Sequence, residues 1–148
     1  MDKLLDKLLN FFNRFEILML LIWTAIIVIQ KLTSYRIYEV MVVLSSYLSM
    51  FYFLQARLAI TKLKDKPILL RIYPIILGYS SAIIIMGILF KSNHYPGASV
   101  MSNVGMGGLL TSSLFLFYTP IQDEYLPIMR KLLLRFFLLI SLGFLVSL

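Results

Sequence analysis

Five long apolar runs, separated by short polar breaks, make up most of this 148-residue chain. They cover about 17–32, 37–60, 68–90, 98–118 and 132–148. A helix needs about 17–25 apolar residues to cross a hydrocarbon layer, so the middle three runs suffice and the outer two sit at the short limit. The last begins near Leu132 because Arg130, Lys131 and Arg135 occupy its near end. Ahead of the first run, residues 1–15 set Asp2, Lys3, Asp6, Lys7 and Arg14 against Leu4, Leu5, Leu8, Leu9, Phe11, Phe12 and Phe15 at helical spacing. That pattern predicts an amphipathic helix in the membrane interface. No cleavage site of small residues follows Ile29, so this segment reads as retained. The expected fold is an all-α polytopic transmembrane bundle forming a single domain over 1–148. It would hold two helical hairpins and a C-terminal helix.

Composition supports the membrane class. The chain is 60% hydrophobic and 14% charged, with a mean hydropathy of +0.89, whereas soluble domains run near 45–50% apolar and about 25% charged. The net charge of +7 would suit nucleic acid on a soluble domain. Here no basic soluble domain remains once the apolar runs are set aside, so the expected partner is the lipid bilayer and nucleic acid is excluded. With the N-terminus in the cytoplasm, eleven Lys and Arg residues fall on the cytoplasmic side. Only Lys31, Arg36 and Lys91 fall opposite. That bias predicts an N-in orientation, with residues 91–97 outside the cytoplasm.

Two features suggest internal order. Lys31, Tyr35, Val40 and Met41 recur sixty residues later as Lys91, Tyr95, Val100 and Met101, which reads either as a repeated hairpin or as coincidence among similar apolar segments. In the fourth run Ala98, Ser102, Gly105, Gly108 and Ser112 step by three and four along one helix face. Small residues there let another backbone approach closely, whether from this chain or another.

Candidate chemistry is sparse. There is no cysteine, no H-E-x-x-H, no P-loop and no nucleophile elbow. His94, the single histidine, has Lys91 three residues before it and no nearby carboxylate, which makes a poor metal site. No metal, cofactor or catalytic residue is expected. His94 and Lys91 read instead as caps on the carbonyls ending the third run, with Tyr95, Pro96 and Gly97 completing the turn. Glu16 and Glu39 are assigned to span ends, leaving only neutral polar residues at depth. Gln30, Ser45, Ser49 and Asn103 would line a polar pathway if one exists; the plainer reading is hydrogen bonding between helices.

The segment Gly87-Ile88-Leu89-Phe90-Lys91-Ser92-Asn93-His94-Tyr95-Pro96-Gly97-Ala98, followed by Met101 and Val104-Gly105, resembles the transmembrane hairpin of the L subunit of the gliding-motility and type IX secretion motor. The resemblance covers about 79–118 and is specific at the tip. It implies a protein of the bacterial inner membrane, with a cytoplasmic N-terminus and a periplasmic tip. In that family the second helix carries a membrane glutamate implicated in proton flow. Alignment of the tips puts Leu109 at that position. The expected role is therefore a non-enzymatic subunit of a motor-like or secretion-like envelope complex, forming a homo-oligomer or joining other membrane subunits. A small channel or transporter, and a membrane enzyme at the outer face, are the alternatives.

Overall fold

In a computed structural model the chain is all-α, and the structure describes residues 2–33, 38–62, 68–118, 137–141 and 143. Four helices follow in chain order: α1 (Asp2–Thr33), α2 (Tyr38–Lys62), α3 (Ile68–Ser92) and α4 (Ala98–Tyr118). A further helical stretch occupies 137–141. By length and composition, Tyr38–Leu58 and Arg71–Ser92 can each cross a membrane. The breaks at 63–67 and 119–136 lie outside the described residues, as do most of the last run and its basic end.

The N-terminal segment joins the first apolar run without a break. An interfacial helix needs a bend to enter the bilayer, yet α1 is one helix of 32 residues. Residues 1–15 contain no glycine or proline to break it, and the apolar pattern carries on without interruption. Glu16 is therefore a residue of the helix interior. Pro74 likewise lies inside α3, which continues past it.

α1 packs chiefly on α2, α2 on α3, and α3 on α4. The seam between α1 and α2 shows the spacing of an antiparallel coiled pair. Glu16, Leu20, Trp23 and Ile27 are buried on one helix, and Met41, Ser45, Leu48 and Tyr52 on the other. Both sets step four, three, four. Two hydrogen bonds fix the register: Tyr52 donates to Glu16, and Trp23 donates to Ser45. Moving seven residues up one helix thus means moving seven residues down the other.

α3 occupies the middle and is approached closely on two sides. A Cβ at Gly78 would lie 2.8 Å from both the Ala56 Cβ and the Tyr52 carbonyl oxygen of α2. A Cβ at Gly87 would lie 2.8 Å from the Ser102 nitrogen of α4, and one at Gly105 would lie 2.7 Å from the Ile84 nitrogen of α3. Backbones that close leave no room for a side chain. Ile84, Ile85, Ile88, Leu109 and Leu139 complete the core. Gly143 seats the C-terminal stretch against Ile84 and Met106.

Candidate functional site

The tip between α3 and α4 is built by main-chain geometry. The Tyr95 N–H donates to the Phe90 carbonyl at 2.8 Å and the His94 N–H to the Lys91 carbonyl at 3.1 Å. This pair of bonds is the Schellman closure of a helix C-terminus, with His94 as the left-handed residue. Its φ is 57°. Glycine is usual at that position, and histidine is among the few other residues enriched there. The motif's customary apolar contact is present too: the Phe90 and Tyr95 rings meet edge-on at 5.5 Å. Asn93 adds its side-chain amide and its own N–H to the Leu89 carbonyl, at 2.8 Å and 3.2 Å. Gly97, at φ 81°, reverses the chain, and its carbonyl accepts the first helical bond of α4 from Met101.

The capping of α3 therefore differs in its donors from the sequence reading. Carbonyls expected to meet the His94 ring and the Lys91 ammonium are taken by two main-chain N–H groups and by Asn93. His94 contributes a backbone conformation, and its ring is exposed. Lys91 is half-buried, while Tyr95, Pro96 and Gly97 are exposed. The Tyr95 hydroxyl lies 2.8 Å from that of Tyr38, tying the tip to the start of α2.

The small-residue face of α4 is occupied by this chain. Ala98, Ser102, Gly105 and Ser112 are buried. Gly87, Ile84 and Ser80 of α3 meet Ser102, Gly105 and Gly108 in turn. Ser112 returns its hydroxyl to the Leu109 carbonyl at 2.8 Å. Among the described residues the buried Ser102 hydroxyl has no hydrogen-bond partner, so size is what fits it against Gly87. Leu109 is fully buried in the core. An apolar side chain sealed there can neither take up nor release a proton.

The residues of the expected polar pathway lie on three helices and differ in exposure. Ser45 is buried and accepts from Trp23 at 2.8 Å. Gln30 and Ser49 are half-buried, and Asn103 is exposed on α4. Among the described residues, no group of three or more His, Cys, Asp or Glu side chains is placed to hold a metal ion.

Sequence reasoning missed the pair of polar contacts between α1 and α2. Tyr52 donates to Glu16 at 2.8 Å, with the tyrosine fully buried and the carboxylate nearly so. A usable signal was present. An indole N–H or a carboxylate inside an apolar helix needs a partner, and two of the α2 hydroxyls, Ser45 and Tyr52, match the seven-residue spacing of Trp23 and Glu16.

No family model, curated protein or solved structure matches the chain. What the geometry supports is an all-helical protein with two helices long and apolar enough to cross a membrane.

Proposed function

We propose that this protein is a non-enzymatic assembly subunit of an envelope complex, embedded in the bacterial inner membrane with its N-terminus cytoplasmic and residues 91–97 periplasmic. The observation that carries the reading is the α3–α4 hairpin. It has an outward tip resembling that of the gliding-motility and secretion motor L subunit, closed by a full capping motif, yet it seals Leu109 where that family has its working glutamate. A hairpin so closed is suited to holding position among other helices. Five membrane spans belong to this reading, with α1, α4 and the C-terminal segment joining the two helices already long and apolar enough.

The test is gentle solubilisation from native membranes followed by native mass measurement. The expected result is an oligomer, or a fixed stoichiometric set of membrane subunits. A strict monomer that copurifies with nothing overturns the proposal.

A further inference from the structure

The face of α4 turned away from α3 carries an amide, Asn103, that the membrane reading leaves unexplained. Val100, Asn103, Val104, Gly107, Thr111 and Leu114 are exposed there. Their depth follows from the helix pairing. Ile84 lies against Gly105 and Ser80 against Gly108, so Gly107 is level with the centre of the apolar segment Arg71–Ser92. Asn103 stands one turn, about 6 Å, nearer the tip. The hydrocarbon layer extends about 15 Å on either side of its centre, which puts the Asn103 amide well inside it.

The three non-apolar residues of this face have different needs. Thr111 satisfies itself by donating to the Gly107 carbonyl at 2.8 Å. Gly107 has nothing within 4 Å of where a Cβ would stand, so another backbone can come close. The Asn103 amide carries two donors and an acceptor, and facing hydrocarbon it has no water to use.

We propose that this face is the contact with a second copy of this chain, α4 against α4 across a two-fold axis normal to the membrane. Copies inserted in the same orientation set identical residues opposite one another at one depth, which demands a self-complementary surface. Asparagine meets that demand, because the carbonyl of each amide accepts from the amino group of the other. Gly107 permits the crossing one turn below, and Val100, Val104 and Leu114 pack around it. None of the six residues is charged, so nothing on the face selects a charged partner. The inference rests on the membrane reading above and adds the partner and its contact.

Single cysteines test it, since the chain has none of its own. Val100 and Val43 are 64% and 67% exposed, and the helix pairings put them at nearly the same depth, on α4 and α2 respectively. In native membranes treated with copper phenanthroline, Val100→Cys and Val104→Cys should give a dimer of twice the chain mass. Val43→Cys should stay monomeric. Asn103→Leu in the Val104→Cys background should weaken association roughly 3- to 30-fold, and Gly107→Leu should reduce linkage as well. Equal linkage at positions 43 and 100, no linkage at positions 100 and 104 in chains that remain in the membrane, or linkage to a different protein each overturns the inference alone. Release of the chain by alkaline carbonate overturns the membrane reading and this inference with it.

Discussion

The two helix pairs are held together by different physics. α3 and α4 meet backbone to backbone, through Gly87 and Gly105, with a short capped turn between them. α1 and α2 stand further apart, separated by large side chains such as Trp23 and Tyr52, and are joined by hydrogen bonds that span the seam. In lipid, apolar surface gains little by leaving one apolar neighbour for another, so specificity must come from close packing or from polar groups. This chain uses one device on each side of the bundle. A glycine seam should therefore fail by crowding, whereas a polar seam should fail by losing a partner.

The largest expected effect follows from crowding. Gly105→Leu drives a side chain into the Ile84 main chain, which no rotamer change relieves, and should destabilise the hairpin by about 3 kcal/mol or more. Thermal unfolding in detergent would read this as a lost or strongly lowered transition. A near-wild-type transition would show that the helices can separate at little cost, and the contrast would collapse. The polar seam should respond less. Trp23→Phe removes the donor to Ser45 and should cost about 1 kcal/mol. A double-mutant cycle with Ser45→Ala should return a coupling of about 0.6 kcal/mol, the average found for membrane hydrogen bonds. A coupling near zero would mean that Trp23 acts by bulk alone.

Much of this arrangement was legible in the sequence. The apolar runs gave the helices, and the three–four spacing of Ala98, Ser102, Gly105, Gly108 and Ser112 gave the α4 face. What the spacing lacked was the identity of the neighbour, because a glycine stripe looks the same whether its own chain or another fills it. The cap was half legible. A polar turn ending in Pro96-Gly97 announces itself, but which residue takes the left-handed conformation depends on where α3 stops unwinding, and that is His94. Glu16 was legible as a carboxylate near a span end, but its burial against Tyr52 was not, because that depends on how α1 packs on α2.

Two smaller effects sharpen the comparison at the tip. His94→Gly relieves a left-handed conformation that costs an L-residue roughly 1 kcal/mol. It should leave the hairpin equally stable or raise its stability by about 0.5–1 kcal/mol, offset by glycine's greater freedom when unfolded. A clear loss of stability would assign the ring a structural contact of its own. Tyr38→Phe removes the exposed hydroxyl contact with Tyr95 and should change stability by about 0.5 kcal/mol or less.

The continuity of α1 has a mechanical consequence. At about 1.5 Å per residue, its 32 residues make a rod about 48 Å long, against a hydrocarbon layer of about 30 Å. In the five-span reading proposed above, the surplus of about 18 Å falls at the end bearing Asp2, Lys3, Asp6 and Lys7. A force applied there is not absorbed by a hinge, as it would be at an interfacial helix joined through a bend. It passes along the helix to the Glu16–Tyr52 contact that ties α1 to α2.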